Sequence, residues 1–207
     1  MARREGHLNL LELSAVREIS TIGLEHATTA LSELTDRKLL ISAPHAESLG
    51  IDDVSTLLGS AEAPAVGIYM EIAGDLEGHI AFFLSWDSAL ALWDILAGSR
   101  PKSFDVSDKQ VAALLEAGQK INESFLSAIA GMANLQLEAR PPVLAIEMVG
   151  SIVESIAAEA EDKQSYLLSI KTRIRDEQGA IEGFFLYIPA AGGLQRLFQQ
   201  LGIAEAA

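Results

Sequence analysis

The sequence predicts an α+β domain of two layers: an antiparallel sheet with two long helices on one face, built from an internal pseudo-two-fold repeat. Three observations point there. The segment Ser14 to Pro44 aligns with Ala112 to Pro142 at one constant offset and without a gap, setting Glu18 against Glu116, Thr21 against Gln119 and Pro44 against Pro142. The stretch AFFLSWDSALALWDILAG (81–98) resembles GFFLYIPAAGGLQRLFQQLG (183–202), with Phe82 and Phe83 against Phe184 and Phe185. Between these blocks lie strand-like runs joined by short turns rather than long crossovers, which implies antiparallel pairing.

The elements follow in order. From Leu10 to Leu34 the apolar residues Leu13, Val16, Ile19, Leu24, Ala27, Leu31 and Leu34 recur at helical spacing, while Ser14, Glu18, Thr21, Glu25 and Ser32 project to the other side. The second long helix carries Val111, Leu114, Ile121, Phe125, Ile129 and Met132 on its apolar stripe, with Glu116, Gln119, Lys120 and Glu123 facing away and Ser107 or Asp108 as N-cap. Each helix leads into a short extended piece ending in proline, LLISAP or LEARPP. Strands are predicted over AVGIYMEIAG and GHIAFFLSW around the Gly74-Asp75 turn, then over AIEMVGSIVESI, SYLLSIKTRI and GAIEGFFLYIP, with a turn at Asp176-Glu177-Gln178-Gly179. Short helices from Asp87 to Leu96 and from Ala191 to Leu201 close the halves. The halves span about 10–98 and 105–202 of one domain covering 1–207, joined by GSRPKSFD.

Composition narrows the function. A chain of 207 residues, 49% hydrophobic and 21% charged, can bury a sizeable core. Its formal charge of −14 repels phosphate backbones and anionic headgroups, so neither nucleic acid nor membrane is expected as a partner. The absence of cysteine excludes disulfides, thiolate metal sites and cysteine nucleophiles. No run approaches about 18 uninterrupted apolar residues, and the opening segment lacks a signal-peptide core, so a soluble cytoplasmic protein is expected.

Positions 14, 18 and 21, spaced i, i+4, i+7, project side by side over two helical turns, and 112, 116 and 119 repeat the spacing. A single exposed glutamate is ordinarily a solvated surface residue. The two-fold repetition, with a proline at identical distance each time, sets these apart. The arrangement of Asp or Ser, three residues, Glu, two residues, Asn, twenty-two residues and Pro resembles the signature of the CheC, CheX and FliY phosphatases of chemotaxis, and here it reads Ser14, Glu18, Thr21, Pro44 and then Ala112, Glu116, Gln119, Pro142.

The resemblance implies a CheC-like fold and the hydrolysis of an aspartyl phosphate on a CheY-type response regulator. In that family the glutamate pairs with the receiver's active-site lysine and the asparagine orients the attacking water. The catalytic residues implied are therefore Glu18 and Thr21, with Glu116 and Gln119 in the second copy. No cofactor of its own is implied, because the receiver supplies the phosphorylated aspartate, the divalent metal and the lysine. A CheD-type deamidase is implied as a further partner. Neither copy has asparagine at the water-positioning place, and the second has Ala112 where the pattern asks for Asp or Ser. A hydroxyl or a longer carboxamide can still place a water, since the partner in such a reaction mainly contributes position. The competing expectation is a binding module that sequesters the phosphorylated regulator, or serves the deamidase, without hydrolysis. A flagellar-switch role like that of FliY ranks behind both.

Other motifs read as structural. The histidines at 7, 26, 45 and 79 lack metal-ligand spacing. AAGGLQ (190–195) lacks the lysine and hydroxyl of a phosphate-binding loop and reads as a helix start. Asn122-Glu123-Ser124 is a glycosylation sequon without meaning on a cytoplasmic helix. Trp86 and Trp93 are expected to pack on the sheet, and Gly23 and Gly131 to permit close helix contact.

Overall fold

The computed structural model describes residues 8–42, 44–50, 53–98, 100–159, 166–175 and 180–203. Its elements are α1 (Leu10–Thr35), β1 (Leu40–Ile41), β2 (His45–Gly50), α2 (Val54–Leu57), β3 (Pro64–Gly74), β4 (Gly78–Ser85) and α3 (Trp86–Ala97), followed by α4 (Asp108–Ala133), β5 (Leu137–Ala139), β6 (Val143–Met148), α5 (Val149–Glu159), β7 (Tyr166–Arg175), β8 (Ala180–Pro189) and α6 (Gly193–Gln200). The same order of seven elements thus occurs twice. Both long helices have 26 residues, and each ends on a left-handed cap, Asp36 at φ 50° and Asn134 at φ 53°. Asp and Asn are among the few residues that tolerate that conformation.

All pairings are antiparallel, and the sheet runs β1-β7-β8-β4-β3-β5, with β2 continuing β1 along β7 and β6 continuing β5 along β3. At its centre β4 pairs with β8, setting Phe82 against Phe185 and Phe83 against Phe184. The two phenylalanine pairs recognised as repeats in the sequence therefore face each other across the pseudo-two-fold. Each half also lends its edge strands to the other: β1 and β2 pair with β7, and β5 and β6 with β3. Neither half completes its sheet alone.

The repeated proline has a structural explanation. Along β3 the register runs from Ile72 opposite Ala139 to Tyr69 opposite Val143, leaving one more residue on the edge strand than on its partner. The same slip separates Ile41 opposite Ile174 from His45 opposite Lys171. Pro142 and Pro44 sit within these two bulges, where an edge strand accommodates a residue without an N–H.

One sheet face carries α1, α3, α4 and α6 over a core including Leu24, Leu31, Ile68, Phe82, Trp93, Leu114 and Phe125. The two long helices on one face are as the repeat predicts. The opposite face carries α2 and α5 over Val54, Phe83, Val149, Ile152, Phe184 and Leu186. One expectation needs correcting here: AIEMVGSIVESI is not a single strand. It leaves the sheet after Met148 and turns into α5. The N–H groups of Val149 and Gly150 donate to the carbonyls of Ala63 and Ala61 at 2.9 and 2.8 Å, which secures the helix start. Val149, Ile152 and Val153 then meet the core at i, i+3, i+4 spacing. The turn expected at 176–179 lies outside the described residues.

Candidate functional site

Local chemistry fixes both long helices. On α1 the Asn9 side chain accepts from the N–H groups of Leu11 and Glu12 at 2.9 and 3.0 Å, and the Glu12 carboxylate accepts from the Asn9 N–H at 2.8 Å, a complete capping box. On α4 Ser107 is the N-cap, and the Gln110 side chain accepts from its N–H at 3.2 Å and its hydroxyl at 2.8 Å. Trp93, fully buried, donates its indole N–H to the Gln110 carbonyl at 3.0 Å, pinning the first turn of α4 to α3. Trp86 stands edge-on to Trp93 with ring centroids 5.7 Å apart, and meets Phe104 of the connection at 4.4 Å.

Further along, α4 is seated on the sheet. Gly118 lies against Ile68 so closely that a Cβ there would be 2.6 Å from two of its side-chain carbons. One turn later the fully buried Asn122 donates its amide to the Ile68 carbonyl at 3.1 Å, while its Oδ1 has no partner in the structure. Where α1 packs on α4, a Cβ on Gly23 would be 3.0 Å from the Phe125 Cα. Gly23 thus permits the close contact expected of it; Gly131 is exposed with nothing near it, so that expectation is corrected.

With inner faces so constrained, the outer ridges are set. Ser14, Glu18 and Thr21 are exposed on α1; Ala112 and Glu116 are exposed and Gln119 half-buried on α4. The structure brings Glu18 and Thr21 together on one ridge and Glu116 and Gln119 on another, on two helices that pack against each other. Among the described residues no hydrogen bond joins the ridges. Glu116 and Lys120, suitably spaced for an ion pair, form none.

The two water-positioning candidates share a feature. The Thr21 hydroxyl donates to the Arg17 carbonyl at 2.9 Å, and the Gln119 amide nitrogen donates to the Glu123 carboxylate at 2.7 Å. Each has a donor engaged within its own helix and retains oxygen lone pairs as acceptors. Sequence reasoning met Glu123 and Asn122 in a glycosylation sequon and gave neither a role at the site. Glu123 was visible as one of the outward residues of α4; a signal for it existed in Glu25, which stands at the equivalent place of α1.

Beyond Thr21 the polar side of α1 continues into a shallow groove lined by Glu25, Thr28, Thr29 and Ser32. On the opposite sheet face a cavity of about 320 Å³ is lined by Tyr69, His79, Glu147, Ser151, Ile152 and Ile188.

A doubled helix-and-hairpin unit with exchanged edge strands and two paired 26-residue helices is a CheC-like fold, and the comparisons with known proteins bear that fold out. No family model matches the chain. The CheY-P phosphatase CheC of Bacillus subtilis (strain 168) is 26% identical over 198 residues, spanning 92% of this chain and 94% of CheC. Among solved structures, Thermotoga maritima FliY superposes with a TM-score of 0.79 at 15% identity, covering 94% of this chain and 98% of that one. The FliM middle domain from H. pylori superposes at 0.69 and 9% identity, covering 93% and 99%. Among the described residues no helix is long and apolar enough to cross a membrane.

Proposed function

We propose that this chain dephosphorylates the aspartyl phosphate of a CheY-type response regulator in chemotaxis signalling. The observation that carries the reading is the repeated ridge: an exposed glutamate followed one turn later by a side chain whose donor is engaged within its own helix and whose oxygen keeps acceptor lone pairs, on each of two paired helices. The similarity to a CheY-P phosphatase along nearly the whole chain supports it.

The chemistry follows from what each party supplies. The receiver holds the phosphorylated aspartate, a divalent metal and a lysine. Glu18 or Glu116 pairs with that lysine and docks the helix across the receiver's site. Thr21 or Gln119 then accepts a hydrogen bond from the attacking water, directing an oxygen lone pair at phosphorus opposite the acyl oxygen, and the water's protons leave with the inorganic phosphate. The phosphorus–oxygen bond to the aspartate breaks, the electron pair returns to its carboxylate, and inorganic phosphate leaves. Such a transfer needs alignment more than covalent help, so a hydroxyl or carboxamide replaces asparagine without a change of mechanism.

Decay of the acyl phosphate on a purified CheY-type receiver, with and without this chain, tests the proposal. Acceleration that vanishes in Glu18→Ala/Glu116→Ala supports it; unchanged decay in the presence of the unmutated chain refutes it. The absence of asparagine from both ridges favours one second reading, a module that binds phosphorylated regulator or a CheD-type deamidase without hydrolysis. On that reading the glutamate substitutions weaken binding while Thr21→Ala and Gln119→Ala leave it intact and no decay is accelerated.

A further inference from the structure

Aligned at their constant offset, the two 26-residue helices have diverged at almost every position. They are identical only at Ala15 and Ala113, Glu18 and Glu116, Glu25 and Glu123, and Ala30 and Ala128. The first glutamate pair belongs to the docking ridge. The second is equally exposed, packs into no core, and stands one turn beyond the water-positioning place.

In the second copy the structure gives this glutamate a task, and we infer that Glu123 is a positioning residue that sets which end of the Gln119 carboxamide meets the attacking water. A free glutamine presents either its oxygen or its nitrogen, and only the oxygen is useful. An amide N–H directed at the water would occupy the lone pair that has to reach phosphorus. An oxygen instead accepts a hydrogen bond from the water and leaves the lone pair free. The 2.7 Å bond from Gln119 Nε2 to Glu123 Oε1 holds the nitrogen along the helix, leaves Oε1 as the end free to accept, and polarises the amide so that this oxygen is a better acceptor. It also restrains the extra rotatable bond by which glutamine exceeds asparagine. Copy one reaches the same result by another route: Thr21 gives its only donor to the Arg17 carbonyl and turns acceptor lone pairs outward. That acceptor is backbone, so no side chain is needed to orient Thr21. The two ridges, unlike in sequence, converge on an outward oxygen.

This inference rests on the phosphatase reading and is tested with the full chain carrying Thr21→Ala, which leaves the second ridge as the water-positioning one. On this background Glu123→Ala is expected to lower the maximal rate of receiver acyl-phosphate decay about tenfold, with the half-saturating concentration unchanged, because alignment is lost while docking by Glu116 remains. Glu123→Gln, which keeps an acceptor oxygen in place, is expected to stay within about threefold of its parent, a rescue that a merely structural role does not predict. A second measurement is independent of turnover: the side-chain amide signals of Gln119 in a nitrogen–proton correlation spectrum are expected to shift, and to exchange faster with water, in Glu123→Ala. If Gln119→Ala slows decay but Glu123→Ala does not, or if the Gln119 signals do not respond, the inference is overturned and the phosphatase reading stands. If Gln119→Ala has no effect, or the unmutated chain gives no acceleration, Gln119 positions no water and both fall.

Discussion

Two glycines on α4 allow the seating of that helix to be measured with the helix-propensity contribution removed. Gly118 and Gly131 lie in the same helix, and Gly→Ala at either gains the same intrinsic propensity, about 1 kcal/mol. Their surroundings are opposite. A Cβ on Gly131 meets nothing within 4 Å, whereas one on Gly118 comes 2.6 Å from Ile68 Cδ1 and Cγ2 and 2.9 Å from its Cβ. The first two contacts cannot both be relieved by rotating Ile68, because its Cβ is also too near, so α4 has to lift from β3. Overpacking of this kind costs about 1–3 kcal/mol. Gly131→Ala is therefore expected to raise stability by about 0.5–1 kcal/mol, and Gly118→Ala to lie about 1–3 kcal/mol below it. For a chain of this size each kcal/mol moves Tm by roughly 2–4 °C, so the two midpoints are expected to differ by about 2–12 °C. Urea unfolding and a thermal scan measure the difference. Two variants agreeing within about 0.5 kcal/mol would refute the close seating of α4 on Ile68. Gly118→Ala is also expected to slow receiver dephosphorylation by the second ridge, because Gln119 is its chain neighbour.

Other outcomes follow from the same contacts. Asn122→Ala removes the amide that the Ile68 carbonyl accepts, and is expected to cost about 1–3 kcal/mol in urea unfolding. Asn122→Leu is expected to cost less, since it also removes an Oδ1 that is buried without a partner. On the sheet, Glu182 lies 2.7 Å from Lys171 and 2.8 Å from Arg173, whose hydrogen bonds hold its carboxyl below the ordinary value of 4.5. A carboxylate with a depressed folded-state pKa contributes stability that is present above the unfolded value and is lost as pH falls through the folded one. Stability of the parent relative to Glu182→Gln is therefore expected to be constant from neutral pH down to about 4.5 and to shrink below it, by less than about 1 kcal/mol because the groups are part-exposed. Parallel urea titrations across that range check it.

Much of this architecture was legible because it is written twice. The constant offset announced the long helices before any propensity was consulted, and both end on a short polar cap residue at the same place, Asp36 and Asn134. The misread segment is instructive. Residues 145–156 are rich in Val and Ile, and β-branched composition argued for a strand through Ser151 and Ser155, where the i, i+3, i+4 spacing of Val149, Ile152 and Val153 argued for a helix. The covering of the second sheet face was also available in the sequence. AFFL at 81–84 is an unbroken apolar run, and a strand wet on one face alternates instead. The Asn9-Leu10-Leu11-Glu12 capping box could likewise have been read from its spacing. Asn122 was hidden by its polarity. The constant offset sets it against Leu24 of the first apolar stripe, which marks the position as inward, but the Ile68 carbonyl it meets there follows only from the placement of α4 over β3.

The exchange of edge strands bears on why the two ridges differ at all. If each half held its own sheet, loss of function in one would leave that half free to decay. Here β5 and β6 complete the sheet beside β3 of the first half, and β1 and β2 do so beside β7 of the second, so each half is structurally indispensable to the other. The inner faces of α1 and α4 must also keep fitting one another at Gly23 and Phe125. The outer ridges carry none of these packing demands. Ser14 against Ala112 and Thr21 against Gln119 have diverged there, while Glu18 and Glu116 have not. An exposed glutamate makes no packing contact that the fold would miss, so the packing of the two halves does not by itself account for its identity at 18 and 116. A partner cation at the corresponding place, such as the receiver lysine of the proposed reaction, would account for it.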